Sequence, residues 1–157
     1  MKTKLAPARH SGFTFIEALM TIAILGIMSA LIVTAFSSAA ADTNRIVSRQ
    51  QQAALQNALN SWINGESNRT VASTTTATIF KNKTIEEIRA AYNGSATSLA
   101  RLNLVSGYLD SVSASMFTAA TTNAAKIKSG SLSSTKQYLS LPDWTAGNYP
   151  QVLLLAE

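Results

Sequence analysis

The feature that most constrains this chain is a long apolar run near its N-terminus, FTFIEALMTIAILGIMSALIVTAF at residues 13–36, a run of 24 residues. As an α-helix rising ~1.5 Å per residue it would be roughly 36 Å long, enough to cross the hydrocarbon core of a bilayer with some tilt. Lys2, Lys4 and Arg9 precede the run. The positive-inside rule therefore predicts a single-pass protein of the inner (cytoplasmic) membrane, with its N-terminus in the cytoplasm and its bulk outside.

The net charge of +5 is concentrated at the same end of the chain. Without the three basic residues before the run, ten Lys and Arg remain against eight Asp and Glu, a net charge of +2. A basic face for nucleic acid is therefore not expected. The chain has no Cys, and its one His is His10. Disulfides and thiolate chemistry are excluded, and the commonest general base is missing beyond residue 12, so we expect neither an enzyme nor a cofactor.

Two ordinary explanations of the apolar run stay open. A secretory signal peptide fits the basic N-terminus, and residues 37–41 offer small-residue cleavage sites, but a run of 24 residues exceeds the usual length of 7–15. A plain membrane anchor is the other. Neither explains Glu17, because a carboxylate inside a spanning helix costs about 2.5–3.5 kcal/mol on insertion scales. A free amine at Phe13 of a neighbouring subunit could neutralise it, which requires cleavage between Gly12 and Phe13.

Residues 11–17, SGFTFIE, resemble the processing motif of type IV prepilins and type II secretion pseudopilins, and residues 23–27, AILGI, extend the resemblance into the helix. The resemblance implies that a prepilin peptidase cuts after Gly12 and N-methylates Phe13. It also implies that Glu17 pairs with the Phe13 amine of an adjacent subunit. The implied partners are other pilin or pseudopilin subunits, the peptidase, an assembly ATPase, a polytopic platform protein and membrane lipid.

Two positions depart from the family pattern. Phe15 stands where the family usually has Leu, which exchanges one apolar side chain for another. Thr34 stands where many members have a proline at which the helix melts in the filament. Whether this helix melts near Thr34 stays open.

Helical spacing continues beyond the apolar run. The apolar positions are Ile46, Val47, Ala54, Leu55, Ala58, Leu59, Trp62 and Ile63. Polar residues occupy the other face, so an amphipathic helix continuous with the membrane helix is predicted to about Asn64, with Gly65 as its stop. Four domains follow: a leader (1–12), a transmembrane or filament-core helix (13–36), its amphipathic continuation (37–64) and a small globular head (65–157).

The head is predicted to be α+β, so that the whole is a pilin-like long helix packed on a small mixed head. Residues 66–78 suggest a loop or edge strand, followed by a short strand at 78–81. Thr84 and Glu87 form a capping-box pattern for a helix that ends at Asn93-Gly94. A helix over 98–112 and another near 117–127 precede two strands, 137–141 and 151–155, and the turns around them.

The head offers few candidates for a ligand site. Trp62, Trp144 and Tyr149 are predicted to pack in the core or in turns. The late acids Asp110, Asp143 and Glu157 are too sparse for a recognisable calcium loop, so no metal site is expected.

The pattern favours a structural filament subunit, with secretion, adhesion, motility and DNA uptake all open as its task. One alternative is a DNA-uptake minor pilin, for which the candidate head residues are Lys81, Lys83, Lys126, Lys128 and Lys136. Another is an anchored protein that stays unassembled.

Overall fold

A computed structural model describes residues 13–75 and 77–157, so the leader positions, including Gly12, lie outside the described residues. The elements are α1 (Phe15–Ser67), β1 (Thr70–Thr75), β2 (Ala77–Asn82), α2 (Ile85–Asn93), α3 (Ser98–Val105), a 3-10 turn (Ser106–Tyr108), α4 (Ser111–Ala120), α5 (Gly130–Ser134), β3 (Gln137–Ser140) and β4 (Leu153–Ala156). The predicted α+β class, a long helix packed on a small head, is confirmed. The chain divides into two compact units, one ending at Ala40 and one spanning Ala41–Glu157.

The first unit consists of the N-terminal part of α1. Its most apolar 18-residue window has a mean hydropathy of 2.4, so by length and composition this helix qualifies as a membrane span. Its hydroxyl side chains bond the helix backbone: Ser29 Oγ donates to the Leu25 carbonyl at 2.7 Å, and Thr34 Oγ1 donates to the Ala30 carbonyl at 3.0 Å. The hydroxyls are thereby satisfied without water. α1 is continuous through Thr34.

The second unit is built around the C-terminal part of α1. Leu55, Leu59, Trp62 and Ile63 are buried there against α2, α3 and the later strands. The other side chains that are fully buried in the same core include Tyr92, Phe117, Ile127 and Leu139. The predicted amphipathic face is therefore confirmed from Leu55 onward. It is wrong at Ile46 and Ala54, which are exposed because this core does not extend to them.

The end of α1 differs from the prediction. Gly65 does not stop the helix, which continues to Ser67. A side chain at Gly65 would collide with the Tyr108 hydroxyl, so glycine here allows close packing. The last turn is closed by Asn68, whose backbone and side-chain N–H groups donate to the Asn64 carbonyl at 3.2 and 3.0 Å. The glycine therefore marks a contact and not a helix boundary.

The region after α1 folds back as an antiparallel hairpin. β1 and β2 pair in the register Thr70 with Asn82 through Thr75 with Ala77. A strand was predicted only for 78–81, with a loop or edge strand before it, so strand formation is confirmed but both strands are longer than predicted. The sequence of this segment is rich in Thr, a residue type that favours strands.

The capping box that opens α2 is confirmed. The Glu87 amide donates to Thr84 Oγ1 at 3.3 Å, and the Thr84 amide donates to Glu87 Oε2 at 2.7 Å. Ile88 and Tyr92 form the buried face of α2, which ends at Asn93 as predicted. Ile85, the first residue of α2, is 38% exposed.

The helix predicted over 98–112 is wrong, because it is two helices. α3 ends at Val105, and Leu109 and Asp110 are extended. Asp110 caps α4: its Oδ1 accepts from the Ser113 amide at 2.8 Å. The Asp110 side chain accepts a hydrogen bond from a backbone N–H at the start of α4, and this bond favours a new helix start over a continuous helix. The helix predicted near 117–127 is also wrong, since α4 ends at Ala120 and Ile127 instead bonds Leu139 as an isolated bridge.

The two C-terminal strands are confirmed within a few residues of their predicted bounds. β3 and β4 pair antiparallel, with Gln137 opposite Ala156 and Ser140 opposite Leu153. Short α5, which precedes β3, was not predicted, because its sequence GSLSS has weak helix propensity. Its cap is the Ser129 hydroxyl, which accepts from the Leu132 amide at 3.3 Å.

Candidate functional site

Two of the predicted processing and assembly residues, Phe13 and Glu17, lie at the start of α1. Phe13 and Thr14 lie just before the helix, and Glu17 is in its first turn. Thr14 accepts from two amides: Oγ1 from Glu17 at 3.3 Å and its carbonyl from Ala18 at 3.1 Å. The Thr14 side chain therefore satisfies a helix-terminal N–H, as an N-cap does. The Glu17 carboxylate lies near the positive end of the helix dipole.

Glu17 is exposed in the isolated subunit. Among the residues that the structure describes, its carboxylate forms no ion pair with Lys or Arg. Its surroundings are apolar, since both Phe13 and Phe15 are more than three-quarters exposed beside it. Covering a carboxylate on an apolar helix surface is costly unless the carboxylate is paired or neutralised.

The apolar surface around this carboxylate is continuous along the helix. Fourteen large apolar side chains between residues 13 and 36 are between 47% and 81% exposed, namely Phe13, Phe15, Ile16, Leu19, Met20, Ile22, Ile24, Leu25, Ile27, Met28, Leu31, Ile32, Val33 and Phe36. A soluble monomer rarely exposes an apolar patch of this extent. The surface is stable only when lipid or other helices cover it.

Residues 7–33 match a family model described as the prokaryotic N-terminal methylation motif. The chain carries the signature of a type IV prepilin. This signature includes the three residues singled out above, Gly12, Phe13 and Glu17, and together with the apolar helix it fits a membrane-anchored pilin processed by a prepilin peptidase. A search of curated proteins and a search of solved structures each found no significant match.

The head contains charged side chains whose structural roles were not predicted from the sequence. Glu66 is paired with Lys83, and its Oε1 is 3.1 Å from Arg69 Nη1. Its side chain is only 12% exposed. The hydrogen bond from Lys83, followed by that from Arg69, lowers the pKa of Glu66, and burial opposes this only in part. The ionised carboxylate thus holds the end of α1 to the segments that flank the hairpin.

Among the described side chains, Arg101 is a second buried charge. Its Nη1 donates to the Leu141 carbonyl at 2.6 Å, and its Nη2 pairs with Asp143. The guanidinium also lies 5.1 Å from the centre of the Tyr92 ring, and burial raises the pKa of Tyr92 to about 12. The sequence around Arg101 did not predict that its side chain is buried. Its planar donors connect α3 to the loop after β3.

The lysines considered for DNA binding are largely engaged within the head. Lys83 pairs with Glu66, while Lys128 and Lys126 lie 2.7 and 3.9 Å from the Glu157 carboxylate. Lys136 is exposed, and the side chain of Lys81 lies outside the described part of the chain. Three of the five candidate lysines are therefore engaged in ion pairs within the head.

The three late acids are spread over separate roles. Asp110 caps α4, Asp143 pairs with Arg101, and Glu157 pairs with Lys128. The bonds from Ser113 lower the pKa of Asp110, and the bond from Lys128 lowers the pKa of Glu157. Within residues 13–75 and 77–157, no three His, Cys, Asp or Glu side chains come together in a way that would hold a metal ion.

Proposed function

We propose that this protein is a structural subunit of a type IV pilus-like or type II secretion filament, matured by prepilin peptidase and assembled through α1. The observation that carries the proposal is the coincidence of the prepilin signature at residues 7–33 with a helix whose apolar side chains are exposed from Phe13 to Phe36. A filament of packed helices covers such a surface as completely as lipid does.

Processing occurs between Gly12 and Phe13 in this proposal. Cleavage creates a new amine at Phe13, two residues before α1 begins. The same peptidase then methylates that amine, which retains its positive charge. The position of Phe13 outside the helix supports this role, because its N–H groups are not needed for the first turn of α1.

Glu17 provides the assembly contact. Its carboxylate is exposed and without an ion-pair partner in the part of one subunit that is described. The Phe13 amine of a neighbour supplies the missing cation when lipid is exchanged for protein. Opposite charges attract strongly in a medium of low dielectric constant, so this pair fixes the axial register of neighbouring helices.

Before assembly, the subunit is anchored in the inner membrane, with its N-terminus cytoplasmic and its head on the periplasmic side. An assembly ATPase and a platform protein extract it, and helix-to-helix packing then replaces lipid contacts. The work of the protein is structural and not catalytic. The head, which lies outside the matched segment, determines whether the filament serves secretion, adhesion, motility or DNA uptake.

N-terminal mass spectrometry of the membrane-purified protein tests the processing step. We expect a mature chain that begins with methylated Phe13. A chain that begins near Ala41, or still at Met1, would exclude processing by the prepilin route.

The assembly role of Glu17 is tested separately with Glu17→Ala. We expect this variant to be cleaved normally and to accumulate in the membrane, with few or no filaments by electron microscopy. Thr21→Ala, one turn further along the exposed helix, is the control and should assemble. Normal filaments from Glu17→Ala would contradict the pairing. If the wild-type protein is itself processed but never forms filaments, that result would instead favour a membrane-anchored protein that stays unassembled.

A further inference from the structure

An open groove of about 700 Å³ runs along the head between α1 and the segment 149–152. Its α1 wall consists of Gln52, Gln56, Asn60 and Asn64, which recur every four residues and so lie on one helix face. No lining side chain is charged. A groove of this size and polarity is suited to a ligand that is hydrogen-bonded but neutral.

The two walls of the groove are fixed to each other by two glutamines. Gln52 Nε2 donates to the Val152 carbonyl at 2.8 Å. Gln56 bonds the same segment twice: its Oε1 accepts from the Val152 amide at 2.7 Å, and its Nε2 donates to the Pro150 carbonyl at 3.1 Å. These bonds fix α1 and the segment 150–152 relative to each other before any ligand arrives, which reduces the entropic cost of binding.

One end of the groove is formed by an aromatic platform. The Tyr149 side chain is 65% exposed, and its ring stacks on Trp144 with 5.9 Å between centroids and 29° between planes. Trp144 is itself buried and packs edge-on against Tyr92 at 6.2 Å. Asn93 fixes the Trp144 backbone, with Oδ1 accepting from its amide at 2.8 Å and Nδ2 donating to its carbonyl at 3.0 Å. The exposed tyrosine ring is therefore stacked on a buried tryptophan whose backbone is fixed.

Polar groups beside this platform remain available to a ligand. The side-chain amides of Asn64 and Gln151 and the hydroxyl of Tyr149 form no hydrogen bond with any side chain or backbone group that the structure describes. Each amide can donate two hydrogen bonds and accept others, and the hydroxyl can do both. The groove thus combines an aromatic face with neutral donors and acceptors.

We propose that this groove binds a neutral oligosaccharide. A sugar ring has an apolar C–H face that packs on an aromatic ring, and a rim of hydroxyls that exchange hydrogen bonds with amides. The uncharged lining argues against sulfated or phosphorylated chains, since it offers no cation for them. Pro150 and Val152 are the apolar lining residues, which is little for docking a peptide segment of a neighbouring subunit. This proposal concerns the head alone and does not rest on filament assembly.

The test uses the full chain, labelled with ¹⁵N, in phosphocholine micelles, so that no sugar headgroup competes for the groove. The probes are cellotetraose, maltotetraose and tetra-N-acetylchitotetraose. We expect at least one of them, at millimolar concentration, to shift the side-chain amide signals of Asn64 and Gln151. Tyr149→Ala should weaken that binding by about tenfold or more, whereas Tyr149→Phe, which keeps the ring, should retain most of it.

Tyr108→Ala is the matched control, because Tyr108 is another partly exposed tyrosine of the head and does not line the groove. Its binding should equal that of the wild type. The proposal is overturned if none of the three probes shifts the groove signals, or if Tyr149→Ala binds as well as the wild type. It is also overturned if a sulfated tetrasaccharide binds more tightly than the neutral ones, or if the groove signals shift with protein concentration alone, which would make the groove a contact between subunits.

Discussion

Leu31 and Leu59 belong to the same helix, yet they have opposite surroundings. Leu31 is 68% exposed, and Leu59 is completely buried in the head core. The same contrast applies to two glutamates of α1, because Glu17 has no ion pair within the described subunit and Glu66 has two. Within the described residues, the head covers Leu59 and pairs Glu66 by itself, whereas the N-terminal part of α1 leaves Leu31 and Glu17 exposed. Stability and assembly should therefore respond to different mutations.

The largest effect is expected from the leucine pair. Leu59→Ala should lower the free energy of unfolding of the head by about 2–5 kcal/mol, because it leaves a cavity in a closed core. Leu31→Ala should change it by less than about 0.5 kcal/mol. Both tryptophans, Trp62 and Trp144, are buried in the head, so their fluorescence during denaturation in micelles reports on that unit. Equal losses from both variants would remove the distinction between the two regions.

The glutamate pair should give the next largest effect. Glu66→Gln should destabilise the head by about 1–3 kcal/mol at pH 7, because Lys83 and Arg69 lose a charged acceptor. Glu17→Gln should leave the unfolding of the head unchanged and reduce filament yield. The free energy of unfolding of the head and the number of filaments, measured on both variants, test whether the two glutamates have these separate roles. A loss of head stability in Glu17→Gln would contradict the claim that Glu17 does not contribute to the stability of the head.

The pH dependence of the Glu66 cluster follows from its lowered pKa. Because the pKa of Glu66 is lower in the folded head than its ordinary value of 4.5, its stabilisation is fully present above that value and is lost as the pH falls through the folded pKa. Denaturation of the wild type and of Glu66→Gln between pH 7 and acid should therefore show curves that converge as the pH falls. A difference that stays constant over this range would contradict the assignment of the stability to the ionised carboxylate.

How much was predictable from the sequence also differs between the two regions. The apolar run, the processing motif and the Thr84 capping box were readable because each depends on residues close together in the chain. The break at Asp110, the burial of Arg101 and the bonds of Gln52 and Gln56 to the segment 150–152 were not. They depend on partners from 40 to 100 residues away or on a competition between a cap and a helix, and neither leaves a periodic pattern. Gly12, Phe13 and Glu17 were assigned by motif, and their roles remain predictions.

The smallest expected effect concerns Gly65, where a sequence rule and a tertiary contact oppose each other. Alanine favours an α-helix over glycine by about 1 kcal/mol, so Gly65→Ala should stabilise α1 if nothing else changed. Here the new methyl group meets the end of the Tyr108 side chain. Since Tyr108 is about half exposed, its ring can turn aside at the cost of its packing. We expect the two effects nearly to cancel in Gly65→Ala.

Removing Tyr108 should separate them. In a Tyr108→Ala background, Gly65→Ala should stabilise the head by about 0.5–1 kcal/mol, because the helix gain remains and the collision is gone. Four-way denaturation of the wild type, both single variants and the double variant measures this coupling. If Gly65→Ala has the same effect in both backgrounds, the tyrosine does not account for glycine inside the last turns of α1.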